Sequence, residues 1–478
     1  MRVREYDVAV IGAGVTGAAI ARQLSRYDIR IALIDAAEDI AMGASRANSA
    51  IVHAGYDCAP GSMQARTNVA GNAMFTEWCE QLDVPLMRVG SLVIAFSDEE
   101  RETLEALYAR GVENGVPGMR IISGDEARAI EPMLSDAVTH ALYAPTGGIT
   151  CPYELTIACA ENARENGAQW LLGRAVTGLR RAGEGFELSL GEDTIYAARV
   201  VNAAGVFADD VARMIGDDSF DVHPRKGEYL LIDRTAKSPR TVIFQTPTKL
   251  GKGVLVSPTV HGNAFAGPTA IDTDDKTDTS VCAESIKNLQ TLARKSTPDL
   301  DFRQVITSFA GIRAQPSTGD FIICASQIEP RLIHAAGICS PGLTSAPAIA
   351  DMVVDLVRDS GLSMPKKADF NPRRANIRAF RHMTEGEQIA AIAADAGYGR
   401  VICRCETITE AEVVEAVRRG ARTLDGVKRR CRAGMGRCQG GFCAPRVMEI
   451  IAREENIPME TLTKFGGGSY LLAGRTRG

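Results

Sequence analysis

A β-branched run, YDVAVI at 6–11, ends on a glycine and passes straight into GAGVTG at 12–17. Few features narrow the choice of fold so far. A short apolar strand followed at once by G-x-G-x-x-G predicts a strand–turn–helix: Gly12 makes the tight turn, Gly14 lets the backbone approach a diphosphate, and Gly17 lets helix and strand pack closely. Val15 and Thr16 then open the helix, where the first amides have no partner inside it and face an anion. Helical periodicity continues over 16–27, and IRIALI at 29–34 predicts the next parallel strand. Asp35 follows that strand, eighteen residues after Gly17, where a carboxylate accepts hydrogen bonds from a ribose diol. Strand, helix and acid in this order read as a dinucleotide site.

One such unit cannot account for 478 residues, a length that suits two or three domains. Two further pieces have nucleotide-domain character, ARVVNAAG at 198–205 and the stretch 332–355, each more than a hundred residues from the last. The nucleotide-binding domain is therefore expected to be discontinuous in sequence. Between its pieces, short runs at 90–96, 227–232, 253–257 and 263–267 predict a mixed or antiparallel sheet that covers the cofactor and forms the substrate site. A formal charge of -5 gives no basis for nucleic acid as the main partner. No run approaches the eighteen or so apolar residues of a membrane span, so no direct span is expected. The expected location is cytoplasmic, with membrane association only through a partner subunit.

Of the 12 cysteines, eight lie in no close pair. The other four form Cys403-x-Cys405 and, 32 residues on, Cys438-x4-Cys443. Four thiolates suit an iron–sulfur cluster or tetrahedral zinc, though zinc pairs more often use C-x2-C. Arg404, Lys428, Arg429, Arg430, Arg432 and Arg437 crowd the same loops, and cations favour a negatively charged cluster and raise its potential. Gly434, Gly436, Gly440 and Gly441 leave backbone amides room to approach the sulfurs. Thr409-x-x-Glu412 predicts a capping box opening a helix, and 444–454 a second helix.

IGAGVTG (11–17), GASRANSAIVHAGYD (43–57), PGS (60–62), NAAG (202–205), AGIR (310–313) and GICSPGLTSAPA (337–348) occur in the order found in the glycine-oxidase/D-amino-acid-oxidase superfamily, which the chain resembles over most of 1–358. The resemblance implies FAD. It places Ser45, Asn48, Ser49, Ala204 and Gly205 against the cofactor, Gly342, Leu343 and Thr344 near the flavin pyrimidine, and Val176, in a strand-like GRAVTGL (173–179), on the adenine side. CRCE (403–406) and VKRRCRAGMGRCQGGFC (427–443) resemble the bacterioferritin-associated-ferredoxin-like domain, which implies that Cys403, Cys405, Cys438 and Cys443 hold a [2Fe-2S] cluster. Cys431 reads as a bystander, and zinc as the less favoured occupant.

The implied fold class is α/β, α+β when taken whole. A Rossmann-like FAD-binding domain (about 1–80, 145–220 and 316–362) combines with a mixed/antiparallel substrate domain (about 81–144 and 221–315). A linker at 363–397, a small helical four-cysteine cluster domain at 398–455 and a tail at 456–478 follow. The combination resembles the catalytic subunit of anaerobic glycerol-3-phosphate dehydrogenases, in which electrons leave the flavin through iron–sulfur centres to a flavoprotein or quinone-linked partner subunit. Expected catalytic residues are Arg313, the arginine of AGIR that binds an anion or polarises the substrate oxygen, and His53, whose imidazole chemistry suits a base. Lys226 and Glu228 in HPRKGEYLL (223–231) are expected to border the pocket, and His261 to sit in a turn. The substrate is a small anion: sn-glycerol 3-phosphate first, an L-2-hydroxy acid such as 2-hydroxyglutarate second, an amine or opine third.

Overall fold

A computed structural model describes residues 4–247 and 253–474, and in it the N-terminal run forms β1 (Arg4–Ile11), α1 (Val15–Leu24) and β2 (Ile31–Ile34). The strands are parallel, with Val8 opposite Ile31 and Ile11 opposite Ile34. All four residues of β2 are buried, as a parallel strand covered on both faces requires. In α1, Ile20 and Leu24 are fully buried, and each such burial stabilises the fold by about 1.5–3 kcal/mol. The helix stops at Leu24 rather than running to 27, because Tyr27 forms a bridge with Lys366 instead.

On the other side of β1, Asp193–Asn202 lies parallel, Arg4 opposite Ile195 and Ile11 opposite Asn202. Its outer edge is shared: Asp193–Ala197 pair antiparallel with Gly185–Leu190, and Val200–Asn202 pair parallel with Leu332–Ala336. Gln169–Leu171 pairs with β2, Gly178–Ala182 completes the hairpin, and Ile322–Ala325 closes the far edge. One eight-stranded sheet therefore draws its strands from 4–34, 169–202 and 322–336, the expected discontinuity. Val176 is not in a strand; the chain from 172 to 177 is irregular and the strand begins at Gly178.

The second sheet has nine strands and is mixed. Val222–Ile232 pairs along its whole length with Val305–Pro316, and continues through Ala264–Gly267 and Leu255–Pro258 to Val242–Gln245. Val242–Gln245 then lies parallel to Ser91–Ala95, beyond which come His140–Ala144 and Arg120–Ser123. Helices Met63–Leu82 and Gly342–Asp359 pack so closely that a Cβ at Gly71 would meet the Thr344 carbonyl at 2.0 Å.

The chain divides into two units, the first made of 1–34, 41–171 and 175–374, the second of 35–40, 172–174 and 375–478. Residues 363–374 are folded into the first: the Lys367 amide donates to the Arg26 carbonyl at 2.9 Å, and buried Arg374 pairs with Glu161 at 2.6 Å. The second contains a short hairpin, Val401–Cys403 with Ile408–Thr409, and helices Glu385–Ala394, Glu410–Arg418, Leu424–Cys431 and Ala444–Glu455. The Thr409 amide donates to Glu412 at 2.8 Å, the expected capping box. Val413, Val417, Val427, Val447 and Ile451 form its core. No helix among the described residues is long and apolar enough to cross a membrane.

Candidate functional site

Gly12 has φ +108°, and a Cβ there would lie 2.2 Å from the Ala203 carbonyl oxygen. Only glycine fits this turn between β1 and α1. The Val15 amide, one of the helix's first-turn donors, is held by the Ser45 hydroxyl at 2.8 Å. The loop at the C-terminal end of the parallel strands thus presents helix-start amides beside a polar side chain, the arrangement that receives a diphosphate. These residues fit the pyrophosphate of FAD. Asp35 accepts a hydrogen bond from the Ala37 amide at 2.8 Å and follows β2 directly. Asn48 is engaged by its own loop, donating to the Ala44 and Ser45 carbonyls and accepting from the Ala50 amide. A cleft lined by Glu5, Asp7, Asp28 and Lys367 lies at the opposite ends of these strands, where open α/β sheets do not bind their ligands.

The ladder between Val222–Ile232 and Val305–Pro316 sorts the remaining candidates. Directly opposed residues share a face of an antiparallel pair, and neighbours along a strand alternate. Arg225, Gly227 and Tyr229 oppose Arg313, Gly311 and Phe309 on one face. Tyr229 and Phe309 stack with centroids 4.9 Å apart, and the Tyr229 hydroxyl lies 3.2 Å from Ser49 Oγ. A Cβ at Gly311 would meet the Ala47 carbonyl at 2.0 Å, so this face rests against the 44–50 loop. A Cβ at Gly227 would lie 3.1 Å from Arg313 Nη2. Absence of a side chain at 227 is what lets the guanidinium reach the Thr269 carbonyl, to which it donates at 2.5 Å.

Arg313 Nε is buried and has no partner among the described residues. Burial, opposed in part by Tyr229, holds its basicity below the ordinary guanidinium value. An unsatisfied buried donor costs about 1–3 kcal/mol or more when charged, and an arriving anion relieves that cost. Lys226 and Glu228 belong to the other face. Lys226 Nζ is bound by Asp278 at 2.6 Å and Ser280 at 3.2 Å, while fully buried Glu228 accepts from the Cys282 amide and the Ser285 hydroxyl at the start of helix Ala283–Ser296. Strand alternation therefore takes both away from Arg313, against the expectation that they border one pocket with it.

His53 follows the short strand Ile51–Val52. Its amide donates to Thr344 Oγ1 at 2.9 Å and its carbonyl accepts from Asn72 at 2.9 Å, which fixes the backbone on both sides. The imidazole Nε2 lies 3.4 Å from Ser340 Oγ, and the ring lies 5.9 Å from that of Phe244. Gly342, Leu343 and Thr344 form the first turn of Gly342–Asp359, so a helix N-terminus with its positive dipole end stands at this site. Ser340, Phe244, Tyr229 and Thr269 were not identified from sequence. The alternation in R-K-G-E-Y was the available signal for Tyr229. Nothing local marks the other three, which arrive through the fold. His261 does sit in a turn, and its Nε2 meets Glu154 at 2.8 Å.

In the second unit the four expected cysteines come together as two facing pairs. Cys405 and Cys438 sulfurs are 3.6 Å apart, and the Cys443 thiol hydrogen-bonds Cys403. That bond, against burial and with the amides of Gly434 and Glu406, holds Cys403 well below the usual thiol range, at about 6. Amides of Phe442 and Gly440 point at Cys438. Four sulfurs ringed by N–H donors fit a [2Fe-2S] cluster, whose charge such donors stabilise. Cys431 donates to the Val427 carbonyl, and burial pushes its thiol up to about 12, so it is a neutral core group. The cations are less free to act on a cluster than composition suggests. Arg430 and Arg429 share buried Asp39, at 2.7 and 3.1 Å, and Arg432 pairs with Glu406 at 3.0 Å.

The family described as FAD dependent oxidoreductase matches residues 7–356, and the BFD-like [2Fe-2S] binding domain matches 401–453. The chain is 47% identical over 475 residues to a glycerol 3-phosphate dehydrogenase of Caloramator mitchellensis, covering 99% of both. It is 26% identical to one subunit of the anaerobic glycerol-3-phosphate dehydrogenase of Escherichia coli, over 94% of this chain and 88% of that one. The FAD-bound structure of L-alpha-glycerophosphate oxidase from Mycoplasma pneumoniae superposes with a TM-score of 0.74 at 29% identity, over 78% of this chain and 98% of that one. The chain belongs to the FAD dependent oxidoreductase family and carries a BFD-like [2Fe-2S] binding domain.

Proposed function

We propose that this flavoenzyme oxidises sn-glycerol 3-phosphate to dihydroxyacetone phosphate and passes the electrons through its cluster to a partner subunit. The observation that carries the reading as far as an anionic substrate is Arg313: a buried guanidinium with an Nε unpartnered among the described residues, on the ladder face that meets the 44–50 loop. It binds the anionic end of the substrate. His53, fixed through Thr344 and Asn72, removes the hydroxyl proton at its imidazole. Ser340 orients that ring, and the walls of Phe244 and Tyr229 exclude water. Bound FAD supplies the hydride acceptor. The relatives named for glycerol 3-phosphate support the substrate, and the Escherichia coli relative, named as one subunit of its enzyme, supports a partner that receives electrons.

The test is an anaerobic titration of FAD- and cluster-loaded protein with sn-glycerol 3-phosphate, following both chromophores. Flavin bleaching followed by cluster reduction is the expected result. A flavin that stays oxidised with this substrate but bleaches with L-2-hydroxyglutarate would replace the substrate, and an unreduced cluster behind a bleached flavin would remove the electron path.

A further inference from the structure

Two arginines, not one, stand on the substrate-facing side of the ladder. Arg225 and Arg313 are directly opposed in the antiparallel register. Like charges so placed repel, and Asp272, within Coulombic reach of both guanidiniums, offsets that repulsion in part. Asp272 holds Arg225 by Nε at 2.5 Å and Nη2 at 3.1 Å, which leaves Nη1 without a partner among the described residues. Its carboxylate is 75% exposed, so it orients Arg225 from the water side. Among the described residues Arg313 is anchored only through Nη2, on Thr269. Each guanidinium is thus fixed at one edge and open at another. Lys226, the adjacent cation, points to the opposite face and is already bound by Asp278.

We propose that Arg225 and Arg313 together form a subsite for a phosphate dianion, with Asp272 as the positioning residue for Arg225. The inference rests on the glycerol-phosphate reading above and deepens it. One guanidinium fork satisfies both oxygens of a carboxylate. A phosphate monoester has three terminal oxygens and carries about -1.5 to -2 near pH 7, enough to engage two cations. Arg313 alone does not separate a phosphate from a monocarboxylate; the second guanidinium, Arg225, does.

The experiment uses full-length, FAD- and cluster-loaded protein as wild type, Arg225→Gln and Arg225→Lys. Calorimetric titration with inorganic phosphate is expected to show affinity falling about tenfold or more in Arg225→Gln, with Arg225→Lys intermediate because it keeps charge without the fork. Binding of L-lactate, a monocarboxylate that needs only Arg313, should be unchanged. In turnover with sn-glycerol 3-phosphate, KM should rise by a similar factor while kcat stays within about threefold. If Arg225→Gln fails to retain flavin, Arg225→Lys carries the same two titrations. Phosphate binding equal to wild type, no phosphate binding by wild type, or equal loss of phosphate and lactate would each overturn the subsite. A wild type that binds phosphate through Arg225 yet is not reduced by glycerol phosphate would sink the substrate reading and leave the subsite standing.

Discussion

Arg313 and Lys226 look alike as candidate cations, and the strand separates them by one residue of alternation. Arg313→Lys should keep the charge and lose the planar fork; kcat/KM for the anionic substrate is expected to fall about 100-fold with flavin content unchanged, measured by steady-state dye reduction. A second residue-scale expectation concerns His334, 1% exposed, whose Nε2 meets Asp217 at 3.1 Å. Burial holds the imidazole below its ordinary value, although Asp217 pulls the other way. Burial also opposes ionisation of Asp217, yet hydrogen bonds from Ser326, Ser219 and His334 draw it down to about 2. The fold thus disfavours the imidazolium relative to the unfolded chain, which takes up a proton below about pH 6.5, so the contribution is full above that value and falls as the pH drops. The Asp217 contribution is full above about pH 4 and is lost as the pH falls towards 2. The melting temperature should therefore fall between pH 7 and 5, and His334→Asn should flatten that slope; identical slopes would clear His334 of the effect. None of this was legible beforehand, because His334 acquires its environment from chain more than a hundred residues away.

At the scale of elements, periodicity and turn chemistry carried the reading well where an element's character is set locally. The strand–turn–helix at 4–24 and the capping box at Thr409 and Glu412 follow from short-range sterics and hydrogen bonds. The β-branched residues in GRAVTGL suggest a strand at Val176, but the sheet begins only at Gly178. Gly311 shows how two elements constrain each other. The 44–50 loop touches the ladder backbone to backbone, and a Cβ has no room there. Gly311→Ala is expected to purify with markedly less flavin and to cost about 1–3 kcal/mol, read from the flavin-to-protein absorbance ratio and a thermal melt. Full flavin occupancy with an unchanged melt would show that the loop yields without consequence.

At the scale of the molecule, the second unit includes Asp39, far in sequence from the cluster domain, and binds it through Arg429 and Arg430. Removing one partner of a buried ion pair typically costs about 3–5 kcal/mol, because the remaining charge has lost its compensation. Asp39→Asn should accordingly make the cluster more labile, with faster loss of its visible absorbance to an iron chelator than in wild type; equal rates would make the pair dispensable. The same organisation bears on reaction with oxygen. Electrons that leave through a cluster should yield little peroxide, so substrate in air is expected to produce it slowly in a peroxidase-coupled assay. Fast peroxide release would argue for an oxidase instead.

By itself the sequence determined most element types, the glycine turn at Gly12, Gly14 and Gly17, and the two close cysteine pairs, since each depends on spacing along a few residues. It also carried the family, through motifs whose order survives long insertions. Only the tertiary structure decided which of those motifs meet. The register of Val222–Ile232 against Val305–Pro316 put Arg225 beside Arg313 and turned Lys226 and Glu228 away, and the fold brought Ser340 and Phe244 to His53. Strand pairing between distant segments sets such neighbourhoods, and a one-residue slip would reverse every face, so no local pattern could have specified them.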